Sequence, residues 1–284
     1  MKPLLPGFFL LLAACAATPP EPANTSSTHT PTTSGSVAEA PPVNLTQAAY
    51  QNKVLADKPN LYLILNEGAG VDAEDSSNHG FFGDNIFDNP SVSGGPFATT
   101  IAPVFNGSTN RFIVANNALL QLSSYTIELW FRVSGTSSNG IYNSLIAKGN
   151  NTGYGREENY AMMVHNTSGV LIGRVGLTSS APELTSTQAV NDGKWHHAAF
   201  SVLRTIQNPG ETPKLTLTLY LDGSAVATSI LFGEPMSNAI GPLAVGCWMT
   251  NSSTVYGAMN GQISNVAVYP EALTTKQIAN HLQP

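Results

Sequence analysis

Along several stretches of the chain, apolar and polar residues alternate with a period of two. That is the pattern of a strand with one face turned inward. The clearest case is Tyr125–Val133, where Ile127, Leu129, Phe131 and Val133 fall on one face and Thr126, Glu128, Trp130 and Arg132 on the other. Leu215–Leu221 places leucines at every second position and ends at Asp222-Gly223. That dipeptide tolerates the positive φ angles of a tight hairpin. Further strands are predicted at Leu61–Leu65, Thr100–Asn106, Ser144–Lys148, Ala161–His165, Val170–Val175, His196–Val202, Leu243–Cys247 and Gln262–Tyr269. Helical signals fall at the two ends of this region. Asn44 stands three residues before Gln47 with capping-box spacing, Tyr50 and Val54 share a face, and Pro59 stops the helix. Thr274 and Gln277 repeat the box ahead of the Ile278/Leu282 pair. There is no alternation of strand and helix. The prediction for residues 44–284 is an all-β antiparallel sandwich with short flanking helices.

The first residues read as an address. Lys2 precedes an apolar run from Leu4 to Ala14. As a helix that run would rise about 16 Å, against about 30 Å of hydrocarbon in a bilayer. Residues 1–14 are therefore read as a signal peptide. Leu12-Ala13-Ala14-Cys15 resembles the lipobox of bacterial lipoprotein precursors. The resemblance implies cleavage before Cys15, lipidation of Cys15, and a membrane partner reached through that lipid. Ala16, rather than Asp, points to the outer membrane or cell surface. The alternative is ordinary secretion with cleavage near Ala17. Residues 15–43 are rich in Pro, Thr and Ser and contain no aromatic residue, Leu or Ile. Such a tract cannot bury enough area to offset its chain entropy, so a disordered tether is expected.

Composition narrows the classes further. Charged residues make up 11% of the 284, against about 25% in a typical soluble domain. Twelve Lys and Arg against 18 Asp and Glu leave a net charge of −6, and nucleic acid is not an expected partner. The two cysteines are Cys15 and Cys247. With Cys15 lipidated, Cys247 has no partner, and its apolar surroundings predict a buried, inert thiol.

The ordered blocks of the domain resemble the laminin-G-like, concanavalin A-like jelly-roll domains of bacterial surface proteins. The blocks are Ala56–Tyr62, Leu65–Gly70, Asp75–Gly80, Tyr125–Trp130, Lys194–Ala199, Leu219–Gly223 and Gly261–Thr274. The resemblance implies a jelly roll, and in some relatives a structural calcium held by carboxylates near the two ends of the domain. Carried over, it points to Glu67, Asp75 and Asn265 as candidate metal ligands. This chain departs from the pattern at Leu63, where Trp is usual, and at Ser264-Asn265, where an Asp is usual. An amide oxygen can ligate calcium, with less charge than a carboxylate.

Hydrolytic chemistry finds little footing. Some glucanases share this fold and use a Glu-x-Asp-x-Glu strand, but Glu128 has Thr126 and Arg132 at the corresponding positions. Glu157 and Glu158 are adjacent in a stretch that reads as loop, and His196 and His197 fall on opposite strand faces. No histidine stands at zinc-ligand spacing, and no Ser lies in a Gly-x-Ser-x-Gly elbow. Sugar recognition asks for aromatic rings to lie against apolar sugar faces and amides to meet hydroxyls. Tyr142, Tyr154, Tyr160, Trp248 and Tyr256 are the candidate rings, with Asn143 and Asn251 as candidate amides. This requires the loops 134–143 and 249–259 to converge. The expected function is a surface lipoprotein with a non-catalytic carbohydrate- or protein-binding, adhesion-type domain. A structural or assembly module of the envelope is the alternative, and a glycoside hydrolase a more distant one.

Overall fold

The computed structural model describes residues 44–87, 89–149, 158–178, 180–249 and 254–284. The signal, Cys15, the tether, Tyr154 and Asn251 lie outside the described residues. The strands are β1 (Leu61–Leu63), β2 (Ala73–Glu74), β3 (Phe82–Ile86), β4 (Ser91–Ser93), β5 (Ile101–Asn106), β6 (Arg111–Val114), β7 (Tyr125–Val133), β8 (Tyr142–Lys148) and β9 (Tyr160–His165). They continue with β10 (Val170–Val175), β11 (Glu183–Ala189), β12 (His196–Thr205), β13 (Lys214–Leu221), β14 (Ser224–Phe232), β15 (Leu243–Val245), β16 (Trp248–Met249), β17 (Val255–Tyr256) and β18 (Asn260–Tyr269). Helix α1 (Gln47–Ala56) precedes them and α2 (Thr275–His281) follows.

The first sheet runs β14-β13-β12-β7-β18-β5-β4, with β1 also on β18. The second runs β11-β10-β9-β8-β15-β6-β3-β2, and β16-β17 is a separate hairpin. This is an all-β, two-sheet antiparallel jelly-roll sandwich with two short flanking helices, as the periodicity predicted. Its core lies between the sheets. Ile127, Leu129, Phe131, Phe200 and the alternate leucines of β13 meet Ile146, Met162, Val164, Leu171 and Val175. Gly173 makes room in that layer, since a Cβ there would stand 2.4 Å from the Phe200 ring. The β13–β14 hairpin turns at Asp222 and Gly223, both at positive φ (48° and 79°).

One expectation needs correction. Helix α1 is capped by Thr46 rather than Asn44, with the Thr46 hydroxyl accepting from the Ala49 amide at 3.1 Å. The Gln47 side chain does not close a box but reaches Asn265 at 2.6 Å. At the other end the Thr274/Gln277 capping box is present as predicted. On β7 the face opposite Ile127 and Leu129 is covered as well, and Thr126, Glu128 and Trp130 are all fully buried. Both helices cover this outer face of the first sheet, where Tyr50, Val54, Ile278 and Leu282 cluster with Tyr62, Phe97, Trp130, Tyr220 and Tyr269.

Glu128 lies at the centre of that cover. Its carboxylate accepts from Tyr50 (2.8 Å), Tyr269 (2.8 Å), His197 Nε2 (2.7 Å) and His281 Nδ1 (2.9 Å). His281 Nε2 donates to Asp57 at 2.9 Å, so both ring nitrogens face carboxylates and the ring is an imidazolium. Burial favours a protonated Glu128, but the two histidines outweigh it and hold the carboxyl well below its usual range. Burial likewise disfavours the His281 cation, and Glu128 and Asp57 overcome it, pushing His281 up to about 9.

Candidate functional site

The outer face of the second sheet carries a cluster of rings on a floor of small and flexible residues. Ala147 of β8, Ala161 and Met163 of β9, and Ile172 of β10 form the floor, with Trp248 of β16 against it. Short side chains on neighbouring strands let an indole lie close to the sheet. Tyr142 and Tyr256 flank the cluster and stay half-buried. The Trp248 and Tyr256 rings meet edge-on with centroids 6.2 Å apart.

Arg174 projects from the same face. Its guanidinium lies 5.0 Å from the Trp248 centroid and 5.6 Å from that of Tyr142. It also joins two carboxylates: Nε donates to Glu183 Oε1 at 3.0 Å, Nη2 to the same oxygen, and Nη1 to Glu158 Oε1 at 3.4 Å. Glu158 is buried, and its Oε2 has no hydrogen-bond partner. Burial raises the Glu158 carboxyl, against the pull of Arg174. The Tyr142 phenol is raised by burial and by Glu183, so it remains a hydrogen-bond donor at neutral pH.

Beside Trp248 is a shallow depression of about 10 Å³, lined by Gly149, Gly241, Pro242 and Met249 among others. Its rim is held from within the sandwich. The buried Lys148 ammonium donates to the carbonyls of Ala239 and Gly241 (2.6 Å each) and to Asn116 Oδ1 (3.0 Å). Burial pulls Lys148 down to about 8.

The loops expected to converge do meet. Asn139 Nδ2 donates to the Val255 carbonyl at 3.3 Å, and its Oδ1 accepts from the Ala258 amide at 2.9 Å. Tyr142, Trp248 and Tyr256 are thereby brought together. Tyr160 and Asn143 do not join them. Ala161 and Met163 take the outward positions of β9, so Tyr160 turns into the core, where its hydroxyl donates to the Leu120 carbonyl at 3.2 Å. Asn143 is buried and ties loops together, donating to Gly135 and Asn166 and accepting from the Asn260 amide at 2.7 Å. The sequence reading passed over Arg174 and Glu183. The available signal was a lone arginine in the apolar run Val170–Val175. Its partner Glu183 stands opposite it in register, on a strand whose Thr-Ser-Thr-Gln sequence hides any periodicity.

A family model described as the concanavalin A-like lectin/glucanases superfamily (Laminin_G_3) matches residues 106–279, more than half of the chain. The chain belongs to this superfamily. No curated protein matches it. Among solved structures, domain 4 of AbnA, an extracellular GH43 arabinanase from Geobacillus stearothermophilus solved with arabinotriose, is similar. It shares 18% identity over 80% of this chain and 98% of that domain, with a TM-score of 0.55. The binding domain of botulinum neurotoxin serotype D/C is similar at 15% identity over 81% of this chain and 53% of that one, TM-score 0.53. The botulinum neurotoxin DC binding domain in complex with SialylT gives 15% identity over 80% and 52%, TM-score 0.52. The chain thus spans about half the length of the toxin binding domains it matches. At these identities the likeness is one of fold.

Within this concanavalin A-like frame, the three residues considered for calcium each serve the protein's own hydrogen bonds. Asp75 accepts from the amides of Tyr62, Ser77, His79 and Phe81 and from the Ser77 hydroxyl. Glu67 accepts from the Glu74 amide at 3.1 Å. Asn265 Oδ1 takes the Tyr62 hydroxyl and Gln47, both at 2.6 Å. Among the described residues, no group of three or more His, Cys, Asp and Glu side chains is placed to hold a metal ion. Cys247 is buried, and burial pushes its thiol up to about 12, as expected of an inert cysteine.

Proposed function

We propose that residues 44–284 form a non-catalytic glycan-binding domain, with the Tyr142–Tyr256–Arg174–Glu183 face of the second sheet as its site and Trp248 backing the two tyrosines. One observation carries this reading. Rings from β8, β16 and β17 and a charged pair from β10 and β11, all distant in sequence, assemble on one sheet face. Half-buried rings offer apolar surface to the C–H face of a sugar, and oriented polar groups beside them meet its hydroxyls. The arabinanase domain solved with arabinotriose supports the same reading. The two carboxylates share one guanidinium instead of opposing each other across a cleft, which favours binding over hydrolysis. The bare strip of Leu203, Ile230 and Phe232 on the outer face of the first sheet favours a second reading, contact with another protein in envelope assembly.

A glycan array probed with the purified full chain tests the proposal. Reproducible hits are expected. A blank array with folded protein would overturn it in favour of the assembly reading. Hits abolished by EDTA would bring calcium back to Glu67, Asp75 and Asn265.

The proposal also places the chain on a bacterial envelope, lipid-anchored at Cys15, at the outer membrane or cell surface. The lipobox-like residues Leu12–Cys15 support this. In a bacterial host, Cys15→Ser is expected to abolish palmitate incorporation and to move the chain from the membrane to the soluble fraction. Unchanged labelling would sink the anchor.

A further inference from the structure

Resting on the glycan-binding reading, we infer that this site takes neutral sugars and discriminates against carboxylated ones. The inference comes from counting charge and hydrogen-bonding capacity on the face. Two carboxylates, Glu158 and Glu183, stand against one guanidinium, and Arg174 is bonded to both of them. Its guanidinium carbon lies 5.0 Å from the Trp248 centroid and 5.6 Å from that of Tyr142. Among the described residues of this face, no other cation is left to meet an acidic sugar. The accessible capacity is of the opposite kind, since the Glu183 side chain is 31% exposed and its carboxylate can only accept. Sugar hydroxyls supply donors, whereas a sugar carboxylate supplies only more acceptors.

The other basic groups in this part of the fold do not change the balance. Lys148 lies on the inner side of the sheet and is bonded to three oxygens. His165 stands edge-on to Tyr142, and its ring is engaged by Ser168, whose amide donates to Nδ1 at 3.1 Å. Arg111 is on β6, four strands along the sheet from β10, or about 19 Å at the usual spacing. It lies over Phe87 there. In the adjoining segment 150–157, outside the described residues, Arg156 is followed at once by Glu157, so the segment adds no net charge. Residues 250–253 carry none. The chain as a whole is at −6. A carboxylate seated against the rings would meet a guanidinium already engaged by Glu183 and Glu158 and would add a like charge beside Glu183.

The test compares, for the full chain, each sialylated or uronate-bearing glycan on an array with its neutral parent. Trigalacturonic acid and its methyl ester form one pair and sialyllactose and lactose another. Neutral members are expected to bind about tenfold or more tightly, a gap that narrows as salt is added because like-charge repulsion is screened. Glu183→Gln should also narrow the gap, by freeing part of the guanidinium. Equal or tighter binding of the acidic members overturns the inference while leaving the glycan reading in place. Folded protein that binds no member of any pair overturns both.

Discussion

Replacing Glu128 with alanine is expected to lower the melting temperature by on the order of 10 °C. The carboxylate is fully buried and accepts from two tyrosines and two histidines. Its removal leaves two phenols unpaired and an imidazolium in the protein interior. Breaking a buried ion pair from one side costs about 3–5 kcal/mol, and each kcal/mol is worth about 2–4 °C in a domain of this size. The four donors come from α1, β12, β18 and α2, so the substitution should also loosen both helices. Calorimetry reads the first effect and hydrogen exchange over residues 47–56 and 275–281 the second. An unchanged melting temperature would mean that apolar cover alone holds the helices down.

The same cluster sets a pH dependence with a definite sign. His281 is raised from 6.5 to about 9. Its stabilisation is complete below 6.5 and is lost as pH rises through 9. Glu128 is lowered, so its contribution is present above its ordinary value of 4.5 and is lost as pH falls through its depressed folded value. On the alkaline side the loss is about 3 kcal/mol at 1.36 kcal/mol per pH unit, counted once for the pair. Lys148 is pulled down to about 8 and acts in the opposite sense above that pH. The measurement is therefore the difference in unfolding free energy between wild type and His281→Gln. That difference should shrink between pH 6 and pH 9. A constant difference would show that His281 is neutral in the folded protein.

At the ring-bearing face, Arg174→Met and Tyr142→Ala should separate folding from binding. Arg174→Met leaves Glu158 buried without its counter-ion, so both stability and glycan affinity should fall, stability by about 3–5 kcal/mol. Tyr142 is half-buried, and its loss should leave the melting curve nearly in place while weakening glycan binding about tenfold, or 1.4 kcal/mol. Full affinity in both variants would move the sugar away from this face.

The contrast between Tyr142 and Tyr160 shows what the sequence could disclose. Both are aromatic, both open a strand, and both suit a sugar site by composition. Strand parity sends one outward and the other into the core, but parity can be read only when both neighbours differ in polarity. In Tyr160–His165 nearly every residue is apolar, because both faces of β9 are covered. On β7 the alternation separates two faces, but it does not disclose that two helices cover the second one. Long strands with clean alternation, such as β13, were legible from local pattern alone. The short strands β2, β4, β16 and β17, each of two or three residues, are held by their partners and leave no period to detect. Arg174 and Glu183 needed the register of β10 and β11, and Glu158 the path of the chain just before β9, before they became one group.

The helices have a consequence for how the domain is presented. Helix α1, through which the chain arrives, lies on the outer face of the first sheet, and Lys53 within it bonds the carbonyl of Gln283 near the last residue described. The rings and Arg174 project from the outer face of the second sheet, across the full thickness of the sandwich. A support attached before residue 44 therefore holds the domain by its back. With a glycan held at the rings, tension on that support would pull on α1, where Tyr50 is fastened to Glu128, and would pass through both sheets to the strands beneath the rings.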